Sequence, residues 1–149
     1  PEFQLAKLPA INGPALAKRM SFGEFIESDH PFLRDYLDDF HTRQIVRSGW
    51  DWWKCDDKDL DIAVKRVESM DWFYVCELPM VSMAWLKAVF PQVKFPPELS
   101  RMNETPKDLE VTATWKQVGV VLQRNRHDME LYGTALRVLQ QKSRLAVHS

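Results

Sequence analysis

The chain has 149 residues, enough for one domain that buries roughly two thirds of its unfolded surface. Apolar residues make up 45% and charged residues 28%, an ordinary globular balance, and the formal charge of −1 excludes a general nucleic-acid binder, which needs a basic excess. No apolar run approaches the roughly 18 to 20 residues of a membrane-spanning helix, so no transmembrane segment is expected.

Six Trp and eight Phe predict either a heavily aromatic core or a surface that docks on something. The chain opens on Pro1 with no basic-then-apolar leader. It reads as a processed or truncated segment whose targeting information has been removed. Cys55 and Cys76 are too few for a disulfide framework or a structural zinc site. They read as two free thiols, or as a single bridge in an oxidising compartment.

In chain order, residues 1–20 carry three Pro and one Gly without a sustained period, and read as an extended arm or linker. Residues 21–149 form the folded region. Ser21 and Glu24 make a reciprocal capping pair that starts a helix with Phe22, Phe25 and Ile26 on its apolar face. Asp29 or His30 ends it. Pro31 suits the first turn of a second helix, where Phe32, Leu33, Tyr36, Leu37 and Phe40 recur at helical spacing as far as about Val46. Trp50 to Cys55 is a loop rich in indoles. Asp56 or Asp57 caps a third helix with Leu60, Ala63, Val64, Val67 and Met70 as its stripe.

Trp72 to Cys76 is a run of five β-prone residues and predicts a strand buried on both faces. Such a strand needs neighbours, so a partner sheet is expected in another chain or in a missing N-terminal half. Pro79 starts a helix that runs to Phe90, and Pro91, Pro96 and Pro97 make the stretch through Pro106 a loop. Thr114 and Gln117 form a second capping pair before a long helix to about Lys142. Its inner seam is Val118, Leu122, Asn125, Met129, Tyr132, Leu136 and Leu139, with Arg124, Arg126, Arg137, Lys142 and Arg144 facing solvent. Asn125 in that seam needs a hydrogen-bonding partner.

Four blocks, in order, carry a resemblance to a known family. Ser21 to Ile26 is one. Phe40-His41-Thr42-Arg43-Gln44-Ile45 is similar to an N-x-x-T-R-x-L segment. Cys55 through Glu77 is similar to a helix and strand that end in Glu. Arg101 to Pro106 and then Asn125 to Tyr132 are similar to an N-x-T-P stretch and an N-x-x-D-x-x-L-Y motif. Together they resemble the carbohydrate-type sulfotransferases that use adenosine 3'-phosphate 5'-phosphosulfate (PAPS). Phe40 and His41 depart from the pattern, and the glycine after the second block is displaced to Gly49.

The resemblance implies a mainly α chain with one or two short strands, the C-terminal helical half of the α/β P-loop-like sulfotransferase fold. In that family a Gly/Ser/Thr-rich loop with a Lys grips the donor's phosphosulfate, as suits backbone amides at a helix start. No such loop occurs in these residues, and the family's catalytic base also belongs to the half not present. The chain alone is therefore expected to be inactive and to hold no cofactor, with PAPS bound only in a complete enzyme. The compartment would be the Golgi lumen for a eukaryotic member, or otherwise a soluble or peripheral place in an assembly.

Candidate contacts follow from position and chemistry. Arg101, Asn103, Thr105 and Lys107 could close over the donor, or be a solvated turn. Glu77, Arg43 and Trp52 are candidate acceptor contacts. Their structural alternatives are a helix cap for Glu77, an ion pair with Asp38, Asp39 or a similar neighbour for Arg43, and core or interface packing for Trp50, Trp52 and Trp53. His41 and His127 have acid–base capacity but no nucleophile at a diagnostic spacing, and Asn125 and Asp128 read as ties between the long helix and its neighbours. Two functions stay open: part of an acting sulfotransferase, or a non-catalytic relic that serves as a docking subunit of a larger assembly.

Overall fold

The computed structural model describes residues 13–47, 53–94 and 112–147. The chain is mainly helical, with α1 (Gly13–Ala17), α2 (Phe22–Glu27), α3 (Pro31–Leu37), α4 (Phe40–Val46), α5 (Asp57–Ser69), α6 (Pro79–Val89), α7 (Trp115–Arg124) and α8 (Arg126–Val147). Helix α8 is the central post and packs on α4, α5 and α6, while α5 also packs on α4 and α2 rests on α7. One core cluster holds Ala63, Val67 and Leu131; the other holds Val75, Trp85, Val138 and Leu139 with Trp72 and Phe73 against it.

The helix starts follow local chemistry. Ser21 accepts from the Glu24 amide at 3.3 Å while its own amide donates to the Glu24 carboxylate at 2.7 Å. The Ser21 hydroxyl and then its amide hold the Glu24 carboxyl below its usual range. Asp56, not Asp57, caps α5, accepting from the amides of Lys58 at 2.9 Å and Asp59 at 3.0 Å. Thr114 and Gln117 close α7 in the same reciprocal way.

Several expectations are corrected. Gly13–Ala17 forms a short helix inside the segment read as an arm, packed so closely on α3 that a Cβ at Gly13 would lie 2.5 Å from the Tyr36 ring. The single helix expected from Pro31 to Val46 is two, because Asp39 takes the left-handed conformation (φ 43°) and turns the chain between them.

No strand forms among the described residues: Trp72 to Cys76 is irregular backbone. Helix α6 takes the place of a sheet neighbour. The Val75 amide donates to Ser82 Oγ at 3.0 Å, and the Trp72 indole donates to the Ser82 carbonyl at 2.8 Å. The aromatic run is thus anchored by one buried serine, and its apolar side chains fill the α6–α8 cluster.

The long C-terminal helix breaks at Asn125, which rotates the buried face. Leu131, Val138 and Leu139 lie in the core, while Leu122, Met129 and Tyr132 of the expected seam are exposed. Asn125 finds its partner locally, donating to the Val121 carbonyl at 2.9 Å. Cys55 and Cys76 are both free, one buried and one exposed. No helix among the described residues is long and apolar enough to cross a membrane.

Candidate functional site

Where α3, α4 and the start of α8 meet, two carboxylates exchange roles. Asp39 begins α4 but does not cap it. Its Oδ1 accepts from the backbone amides of His127 at 2.9 Å and Asp128 at 3.2 Å, at the start of α8. Asp128 returns the contact across the interface. Its Oδ2 accepts from the His41 amide at 2.9 Å, and its Oδ1 accepts from the Thr42 amide and hydroxyl, both at 2.7 Å. A helix start carries unpaired N–H groups and partial positive charge, so a carboxylate from a neighbour satisfies both needs.

Two arginines close the opposite helix ends. Arg43 is 1% exposed; it donates to the Asp38 carbonyl at 2.8 Å, the Asp35 carboxylate at 2.6 Å, and the Arg34 and Asp35 carbonyls. These four bonds all go to the C-terminal part of α3 and its cap. Arg124 pairs with Asp38 and donates to the carbonyls of Ile26 at 2.9 Å and Ser28 at 2.8 Å, which closes α2. Sequence reasoning placed Arg124 in solvent. The break at Asn125 turns it inward instead.

His127, 2% exposed, stands between two carboxylates. Its Nδ1 lies 2.8 Å from Asp39 Oδ2 and its Nε2 lies 3.3 Å from Asp57 Oδ1. Cys55, Asp39 and His127 line the same cleft of about 710 Å³. The grouping is not an activated nucleophile. Burial first, then the charges of Asp39 and Asp59, push the Cys55 thiol up to about 12, so it stays protonated. Among the described residues no hydrogen bond joins that thiol to the imidazole. The region is a structural lock.

A second concavity, about 310 Å³, lies between α4, α5, α8 and the 71–78 segment. Ile45, Val67, Phe73 and Leu131 give it apolar walls, and Glu77, Tyr132, His41 and Asp128 bring polar groups to it. Burial and then a hydrogen bond with Glu77 raise the Tyr132 phenol above its ordinary value.

The predicted residues therefore separate. Arg43 belongs to the lock and has no free donor face for an acceptor. Glu77 is exposed at the groove, and His41 is exposed at its edge. Trp53 is a packing residue whose indole donates to Asp59 at 3.0 Å. Trp50, Trp52, Arg101, Asn103, Thr105 and Lys107 lie outside the described residues. The structure adds Asp39, Arg124 and Tyr132, which sequence reasoning missed. In the sequence Asp39 stands out only as an ion-pair partner for Arg43, and Tyr132 only as a seam residue that ends the N-x-x-D-x-x-L-Y motif.

Comparison with protein-family models, curated proteins and solved structures found no match.

Proposed function

We propose that this chain is the helical part of a carbohydrate-type sulfotransferase fold, with the donor-binding half supplied from outside these 149 residues. The observation that carries the reading is the bonding between the second and fourth blocks of the resemblance. Thr42 of the second block and Asp128 of the fourth lie 86 positions apart and meet at 2.7 Å. Arg43, beside Thr42, closes α3 from within. Motif residues that answer one another across the fold support a shared architecture better than isolated matches would.

In the complete enzyme the acceptor hydroxyl oxygen attacks sulfur, and the bond from sulfur to the bridging phosphate oxygen breaks. The hydroxyl proton passes to a base, and cations balance the leaving adenosine 3',5'-bisphosphate. Base and phosphate-binding groups come from the other half. This chain contributes Glu77 and Trp52 toward the acceptor, with Arg101, Asn103, Thr105 and Lys107 toward the donor.

The test is labelled sulfo transfer from PAPS to a saccharide panel, by the tagged native protein isolated with whatever it is joined to. Transfer that drops in Glu77→Gln supports the reading. Native material that neither transfers sulfo groups nor retains adenosine 3',5'-bisphosphate sinks it.

The docking role is favoured by one observation. Trp115 and Met80 are 90% and 80% exposed, and exposed Leu122 lies two turns beyond Trp115 on the same helix, α7. An exposed apolar stripe of this kind suits a protein partner. Trp115→Ala then frees the chain from its native assembly without altering its melting temperature.

A further inference from the structure

The groove beside Glu77 has a charge character of its own. Its walls are apolar, and apart from the His41 imidazole its ionisable heads are the carboxylates of Glu77 and Asp128 and the side chains of Tyr74, Tyr132 and Cys76: no lysine or arginine lines it among the described residues. The two carboxylates differ in availability. Asp128 spends its oxygens on the start of α4. Glu77 is exposed, forms no ion pair among the described residues, and lies near Tyr132, whose phenol its charge helps to hold above the ordinary value. Tyr74 and Tyr132 both line the groove and keep part of their rings open to solvent.

We propose that this groove binds a small amphipathic cation, an organic ammonium carrying an aryl or short alkyl body. The body gains by leaving water for the walls formed by Ile45, Val67, Phe73 and Leu131. The ammonium meets the Glu77 carboxylate by a charge-assisted hydrogen bond, with tyrosine ring faces beside it to add cation–π attraction. A carboxylate head in the same place meets like charge, and an alcohol gains the walls without the charge. The volume of about 310 Å³ is at the small end of ligand sites, so one ring or a short chain fits better than an oligomer. The inference rests on the lining of the groove; it shares Glu77 with the proposed acceptor contact, and ligand-induced amide shifts read it independently of sulfo transfer.

The probes are phenethylammonium, 2-phenylethanol and phenylacetate, which share one body and differ in head charge. Each is titrated into the 149-residue chain with amide chemical shifts recorded. The expected result is saturable shifts at residues 73–77 and 131–135, with the ammonium at least about tenfold tighter than the alcohol. Phenylacetate gives no saturation. Glu77→Gln, an exposed change that leaves the fold intact, brings the ammonium down to the alcohol, and Tyr74→Ala weakens the ammonium more than the alcohol. Absence of saturable shifts, equal affinity for the three heads, or a preference that survives Glu77→Gln overturns the proposal.

Discussion

Asp39 and Asp128 each cap the helix that the other begins. This reciprocity joins α4 to α8 through charge-assisted bonds to backbone amides, across 86 to 89 positions of sequence. It also explains the strained backbone at Asp39: the left-handed turn separates α3 from α4, and its side chain serves α8 instead of its own helix.

Asp128→Ala strips the start of α4 and leaves the buried Thr42 hydroxyl without its acceptor. The expected loss is about 2–4 kcal/mol of unfolding free energy by urea titration. Thr42→Val alone costs about 1–2 kcal/mol. The double variant costs less than the sum, because both changes delete the same bond.

Arg43→Lys is as disruptive in kind as removal, because one ammonium cannot reach the carbonyls of Arg34, Asp35 and Asp38 together. Arg43→Met lowers stability by about 2 kcal/mol or more, because the carbonyls of Arg34, Asp35 and Asp38 lose their buried donor. Thermal melts of both variants against the parent check this. A substrate-contact role for Arg43 instead requires near-parental melting.

Cys55 should resist alkylation in the folded chain at mildly alkaline pH while Cys76 reacts, as peptide mass mapping reads directly. The folded Cys55 thiol keeps its proton to about 12 against an ordinary value of 9.0. Its contribution to stability is therefore fully present below about 9 and is lost as pH climbs toward about 12. Cys55→Ala removes that part of the alkaline decline.

Tyr132 ionises above an ordinary phenol, through burial first and the Glu77 hydrogen bond and charge next. In an ultraviolet titration, Tyr132→Phe deletes the late phenolate transition, and Glu77→Gln moves it downward.

The sequence made the helical content and several starts legible, because a cap is local: Ser21 with Glu24, and Thr114 with Gln117, need only three residues. Two breaks were not legible. Phe32 to Phe40 keeps helical spacing straight through Asp39, and Val118 to Leu139 keeps it through Asn125, yet each break answers a contact made elsewhere. Asp39 bends for α8, and the turn at Asn125 accompanies the inward placement of Arg124 against α2. Trp72 to Cys76 has strand composition, but Ser82 takes the Val75 amide and α8 takes the apolar side chains. Tertiary partners overrode local preference there. Of the candidate site, Glu77 was legible as a polar residue ending an apolar run. Its pairing with Tyr132 was not, since the seam pattern placed that tyrosine inside.

Calorimetric titration of adenosine 3',5'-bisphosphate tests the account most directly, run in parallel on the 149-residue chain and on the native protein isolated with its partners. The account predicts no saturable heat from the chain alone and saturable binding by the native material. Saturable binding by these 149 residues alone, or none by the native material, contradicts it.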